Sequence, residues 1–399
     1  MKVKKIYYIL FLIIGIYFNS CIEPFDFKTI TFESALVVEA TISNEVKHQE
    51  IRLSRTFKLE ERESLEESGA DVNIVDNLQN TYTFSETSAG KYVSNQAFGA
   101  IDDRAYQLKI VTDQGKSYSS KLTKLTNSSQ IDKVYVEKTE DENGINIFVD
   151  SYNPNGNSRY YRFEYEETYK IIASKWAYQD LVVLSKDPPV FDFVPRDENK
   201  RICYNTIYSK GILQTETNNF VDDRITKFHI KYISKDDYLI AHRYSMLLKQ
   251  YVQSLDAYTF YKTLNDLSGS ESLFSENQPG FISGNLYSDD NPNEKVIGFF
   301  EVSSVVTKRI FFSPSDINLW NPSVPAYPVS CDLIAPELKP KYGKSLFDYL
   351  ESGSLKYYLK NDGISIPLVP PGGPYIMVPS ECADCTIIGT NIVPEFWIE

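Results

Sequence analysis

Histidine is scarce in this 399-residue chain, which holds only His48, His229 and His242. They are too scattered to form an HExxH zinc pair or two histidines one helical turn apart, and no GxSxG nucleophile elbow is present. Gly343-Lys344-Ser345 lacks the preceding glycine of a phosphate loop. The paired acids Asp102-Asp103, Asp222-Asp223 and Asp289-Asp290 lack the alternating oxygen spacing of a calcium loop and read as solvated turns. These gaps argue against an enzyme and leave no cofactor or metal site to name. Basic residues are also in deficit, with 41 Lys and Arg against 54 Asp and Glu and a net charge of −13, which excludes an electrostatic footprint for nucleic acid. Beyond residue 18 no apolar run reaches the roughly 20 residues a membrane-spanning helix needs.

What is present begins with a leader. Lys2, Lys4 and Lys5 form a cationic start, and Ile6 to Phe18 is uninterruptedly apolar, too short to span a bilayer but fitting a secretory signal peptide over residues 1–20. Cys21 follows Ser20 where a lipoprotein signal peptidase would cut, although Phe18-Asn19-Ser20 departs from the usual leucine and small residue before such a cysteine. Acylation of Cys21 would give a two-chain membrane anchor, followed by a tether over residues 21–29. Losing the three leader lysines takes the charge from −13 to −16. Glu23 and Asp26 give the tether an acidic start of the kind that marks surface-exported lipoproteins.

With Cys21 spent on lipid, Cys203, Cys331, Cys382 and Cys385 remain. In an oxidising compartment an even number reads as two disulfides, with three connectivities open. The Cys382-x-x-Cys385 pair precedes TIIGTNIVPEFW, which supplies no helix to stabilise a redox thiolate, and a zinc site would need a second close pair.

Period-two alternation dominates the body. ALVVEATI, QEIRLSRTF, ADVNIVD and RAYQLKIVTDQGKSYSSKL predict about seven short strands over residues 30–125, an immunoglobulin- or transthyretin-like β-sandwich. A polar linker, Thr123 to Gln130, leads to a second β-rich, fibronectin-III-like domain over residues 131–399, with a cysteine-containing C-terminal segment. In RYYRFEYEETY, Tyr161, Phe163 and Tyr165 share a core face. Tyr160, Arg162 and Glu164 share an exposed face that is a candidate binding surface. After Ser234, a capping residue, the spacing of Leu248, Val252, Leu255 and Phe260 predicts a helical insertion over about 235–268 that includes His242. Its aromatic flank, Tyr238, Tyr244, Tyr251, Tyr258 and Tyr261, is the second candidate ligand face, with Tyr244, Tyr251 and Tyr258 the residues singled out.

Several stretches taken together resemble the Bacteroidota lipoproteins known as the domain of unknown function 4249 family. They are SCIEPFDF followed by LVVEATIS, then Gly284-Asn285, Asn291-Pro292 and Gly298-Phe299-Phe300, and an ending with CxxC, Gly389, Asn391, Pro394 and Phe396-Trp397. The family's ending usually carries a Gly-Gly pair and Asp-Phe-Trp, where this chain has Gly389 and Glu395. The resemblance implies an outer-membrane lipoprotein facing the cell exterior, in the company of a TonB-dependent receptor; the binding-module expectation adds a peptide, glycan or other nutrient as possible ligand. It implies no catalytic residues. A binding or accessory module of nutrient uptake is the leading expectation. A structural protein of the envelope comes second and a hydrolase built from dispersed acids third.

Overall fold

The computed structural model describes residues 34–57, 65–141, 143–268, 282, 284–318, 326–362 and 372–399. The leader, Cys21 and the tether lie outside the described residues. No helix among the described residues is long and apolar enough to cross a membrane. The protein is mainly β, arranged in several sheets.

The first unit is an eleven-stranded sheet around one core. In Leu36–Ser43 the alternation is literal, with Leu36, Val38, Ala40 and Ile42 buried and Val37, Glu39 and Thr41 pointing outward. Ile51, Leu53, Ile74, Leu108 and Tyr118 complete that core, each such side chain contributing about 1.5–3 kcal/mol by leaving water. The expected Asp113-Gln114-Gly115 corner forms, with Gly115 at φ +78° and its N–H donating to Thr112 O at 2.8 Å.

This sheet does not stop at residue 125. Leu286–Ser288 pairs with Ser117–Ser120 at one end of the strand order, and Val296–Ser303 lies parallel to Leu36–Ser43 at the other. The expected division near residues 125–131 is therefore crossed by the hydrogen bonding, because the chain returns after building most of the second unit. The linker is likewise part of the fold, since Thr123–Lys124 pairs with Ala105–Val111.

The second unit sets a three-stranded sheet against a five-stranded one. Gln130–Lys138, Gly144–Tyr152 and Arg224–Ser234 form the first. In the second, Tyr160–Ile172 pairs along one edge with Ile202–Tyr208 and Leu213–Glu216 and along the other with Tyr244–Val252, which Val305–Phe312 then flanks. Phe163 of the larger sheet stacks on Phe228 of the smaller at 5.1 Å between ring centres, and Ile145, Ile147, Met246 and Leu248 fill the same core.

The predicted helix over 235–268 is corrected here. Only Leu255–Ser268 is α-helical, and its first turn is capped by Ser254, whose Oγ accepts from Ala257 N at 3.1 Å, rather than by Ser234. Tyr244–Val252 is a strand, His242 lies in the bend before it, and Tyr238–Ile240 is a single 3₁₀ turn capped by Asp237. The strand carries neighbours on both edges and is buried on both faces. Its sequence YSMLLKQYV therefore shows no alternation, and its helix-favouring residues are overridden by packing.

A third, smaller unit packs the hairpin of Gln179–Lys186 and Pro189–Pro195 against the hairpin of Leu355–Lys360 and Tyr375–Pro379. The helix Leu346–Ser352 sits between them. Ser345 and Asp348 cap its start reciprocally, and Gly353 ends it at φ +66°. Leu181, Leu346, Leu355 and Met377 are its core, and Phe191 stacks on Phe347 at 5.5 Å.

Two disulfides fasten the C-terminal segment, and one of them, from Cys203 in Ile202–Tyr208, ties it to the second unit. Cys203 bonds Cys385 and Cys331 bonds Cys382, so the two cysteines of the CxxC pair reach different partners. They close loops of sequence separation 182 and 51, each worth about 4–5 kcal/mol in the chain-entropy account of a cross-link. The terminal Phe396-Trp397 docks on the larger sheet of the second unit. Trp397 meets Tyr204 at 4.9 Å, and the Tyr204 backbone exchanges two hydrogen bonds of 2.8 Å with Thr390, covering the outer edge of Ile202–Tyr208.

Candidate functional site

The strand Tyr160–Ile172 places Tyr161 and Phe163 in the core, as the alternation requires. Its other face was expected to be exposed, yet Arg162 is only 7% exposed. The cause is tertiary. Leu255–Ser268 and the first unit's strand Val296–Ser303 close over this end of the strand, so a face that alternation assigns to water becomes a junction between units.

Arg162 is held from several sides. Its Nη2 donates to Glu301 at 3.0 Å and its Nη1 pairs with Glu164. The guanidinium lies 4.4 Å from the ring centre of Tyr251, its cross-strand neighbour, and 5.2 Å from that of Tyr261 on the helix. Glu301 is 2% exposed and also accepts from Ser303 Oγ at 2.6 Å and Gln253 Nε2 at 3.2 Å. Burial opposes the charge on Arg162, but Glu301 and Glu164 outweigh it and hold the guanidinium above its ordinary range. Burial, with Glu301 nearby, pushes the Tyr261 hydroxyl up to about 12. The Nε of Arg162 has no acceptor among the described residues.

Beside this cluster runs a cleft of about 800 Å³ between the first and second units. Its floor is the outward face of the first sheet, where Val37, Glu39 and Phe299 emerge. The helix supplies one wall through Phe260, Tyr261 and Leu264. Arg162, Glu164 and Ile212 supply the other. Phe260 packs on Phe299 at 5.6 Å and edge-on against Tyr261 at 5.3 Å, so these rings are fixed against the sheet. Glu39 is exposed, lies directly across the strands from Arg52 and makes no hydrogen bond or ion pair among the described residues, whereas Glu50 is tied to Arg52 at 3.0 Å and Lys91 at 2.8 Å.

Of the five residues proposed from sequence, Arg162 and Tyr251 meet in this cluster. Tyr160 and Tyr258 pair nearby at 5.0 Å. Tyr244 does not join them. It is fully buried further along its strand, and its hydroxyl donates to Glu167, which also takes the Lys231 ammonium at 2.5 Å. The paired acids also differ from expectation. Asp223 is 2% exposed and accepts from Tyr161 Oη at 2.7 Å, Thr217 Oγ1 at 2.5 Å and Ser158 N at 3.0 Å, so it is a structural anchor and not a solvated turn. Sequence reading named Tyr261 in the aromatic flank but missed Glu301 and Glu39. Glu301 had a usable signal as the lone acid inside VIGFFEVS, a run apolar enough to be buried on both faces.

The family model for the domain of unknown function DUF4249 matches residues 22–309. The chain belongs to the DUF4249 family. No curated protein matches it. The DUF4249 match contains every cleft residue named above, while Cys331, Cys382 and Cys385 lie beyond it. Two positions that carried the resemblance acquire physical reasons. A Cβ on Gly284 would fall 1.6 Å from Gly298 O, and one on Gly298, at φ +136°, would fall 2.1 Å from Val38 O. These DUF4249 glycines let three backbone segments approach where the first sheet's two ends meet, beneath the cleft floor that Phe299 helps to form.

Proposed function

We propose that this protein is an outer-membrane lipoprotein, anchored through Cys21 and facing the cell exterior, that serves as a non-catalytic binding or accessory module of a TonB-dependent nutrient-uptake system. The observation that carries the reading is the cleft at the junction of the first two units, with apolar walls and charged groups of both signs. Three further features support it: the leader with its cysteine at the cleavage point, two disulfides that suit an oxidising compartment, and family membership. In this reading the first unit is the immunoglobulin- or transthyretin-like module next to the anchor, and the second is a fibronectin-III-like sandwich that carries the cleft's upper wall.

The test is purification of the full lipoprotein from its native membrane in mild detergent after mild cross-linking, with identification of what accompanies it. A TonB-dependent barrel in fixed ratio is the expected result. A lone protein, recovered from membranes in which such barrels are abundant, would refute the accessory role.

A further inference from the structure

We infer that a second cleft between the first two units binds a neutral oligosaccharide. The inference rests on the binding role proposed above and gives it a ligand class, at a site that shares no lining residue with the cleft beside Arg162.

This cleft, of about 780 Å³, opens where the first sheet meets the start of the second unit. Asn44 and the turn that holds Asp102 and Asp103 come from the first unit, as does Lys124 of Thr123–Lys124. Asn155 and Asn157 come from the loop between Gly144–Tyr152 and Tyr160–Ile172. Hydrogen bonds pin this frame. Asn44 Oδ1 accepts from Val305 N at 2.7 Å, Thr126 Oγ1 donates to Val252 O at 2.8 Å, and Asn127 Nδ2 donates to Asn157 O at 3.1 Å. The walls are thus ordered before a ligand arrives, and binding has little further ordering to offset.

Several groups that line the cleft are left open. Asp102, Asp103, Lys124 and the Asn155 side chain are exposed and make no hydrogen bond or ion pair among the described residues. Lys124 is the strand partner of Ala105, two residues from Asp103, and still its ammonium pairs with neither carboxylate. The cleft therefore offers acceptors at Asp102 and Asp103, a donor at Lys124, and both kinds at the amide of Asn155.

A sugar hydroxyl matches that set, because it donates and accepts at once and its bonds to charged groups are the stronger kind. Ala100, Ile101 and Leu125 supply a small aliphatic area for the C–H face of a pyranose ring. A peptide rich in apolar side chains would need more apolar wall than these three residues provide. An anion such as phosphate would meet two carboxylates against one ammonium.

Isothermal titration of the full lipoprotein in mild detergent tests this with maltotetraose, cellotetraose, mannotetraose and laminaritetraose, and with free-ended tetra-alanine as the peptide control. At least one sugar is expected to bind, more tightly than tetra-alanine and with an affinity that does not change with salt, since a neutral ligand forms no ion pair to screen. Asp102→Ala combined with Asn155→Ala, both at exposed positions, is expected to weaken that sugar at least about tenfold while the melting temperature stays unaltered. No binding of any of these sugars, tighter binding of tetra-alanine, a sugar affinity that falls with salt, or an unchanged affinity in the double variant would each overturn the inference. A barrel that co-purifies while no sugar binds refutes this inference and leaves the accessory role standing. Sugar binding without a barrel does the reverse.

Discussion

Asn285 grips the backbone of Phe300 with both ends of its side-chain amide: Nδ2 donates to Phe300 O at 2.8 Å, and Oδ1 accepts from Phe300 N at 2.8 Å. The amide thereby imitates one rung of a β-ladder between the segment that starts Leu286–Ser288 and the strand Val296–Ser303, which occupy opposite ends of the first sheet. Both residues are buried, so no water can replace either bond.

Asn285→Leu should therefore cost about 2–4 kcal/mol, the penalty for leaving a buried N–H and a buried C=O unpaired. Chemical denaturation would show a lower midpoint, and Asn285→Asp should keep the acceptor bond while losing the donor. Gly298→Ala should be at least as damaging, since its Cβ would overlap Val38 O and the φ of +136° disfavours any side chain. An alanine variant as stable as the parent would remove the seam from the account.

The pairing of the cysteines has a direct readout. Peptide mapping without reductant should recover Cys203 joined to Cys385 and Cys331 joined to Cys382, with no peptide bridged between Cys382 and Cys385. Replacing Cys203 and Cys385 together by serine should lower stability by about 4–5 kcal/mol. Detection of a Cys382–Cys385 bridge in the native protein would contradict the fold of the C-terminal segment.

The Arg162–Glu301 pair ties the second unit to the first. Arg162→Met leaves Glu301 buried without its cation and should cost about 3–5 kcal/mol, whereas Arg162→Met combined with Glu301→Leu should recover much of that loss, because a buried pair contributes little beyond its apolar replacement. A double-mutant cycle measures the coupling. Additive losses would mean that the two side chains act independently.

Asp384 sets an acid limit on the C-terminal segment. Burial alone would raise its carboxyl, but Thr386 and Lys200, the latter at 3.0 Å, hold it below its ordinary value of 3.8. A depressed folded value means that its contribution is fully present above about pH 4 and is lost as pH falls through the lowered value. Urea midpoints measured from about pH 7 to pH 3 should fall at the acid end, and Asp384→Asn should be less stable at neutral pH with a shallower acid decline. An identical slope in both proteins would rule out this carboxylate as a source of the decline.

Much of the local structure was legible in the sequence because it depends on neighbours along the chain. Alternation located Leu36–Ser43 and the buried faces of Asp71–Asp76 and Ala105–Val111, and glycine marked the Gly115 turn. The even set of four cysteines beyond Cys21 forms two disulfides. The helix was partly legible. Its true length, Leu255–Ser268, keeps the spacing, but the preceding strand is buried on both faces, which erases the period that separates strand from helix.

The candidate site was legible only in fragments. Arg162 and Tyr251 were singled out as an exposed strand face and a helix flank, and they are in fact cross-strand neighbours in a buried cluster. By itself the sequence determined the mainly β character, the cysteine set and the family, since composition and short-range pattern carry these. Tertiary structure alone decided that Val296–Ser303 returns to the first strand, that Glu301 meets Arg162, and which cysteines bond. Each of these joins residues far apart in the chain, and their contact depends on the closing of sheets whose partners no local period encodes.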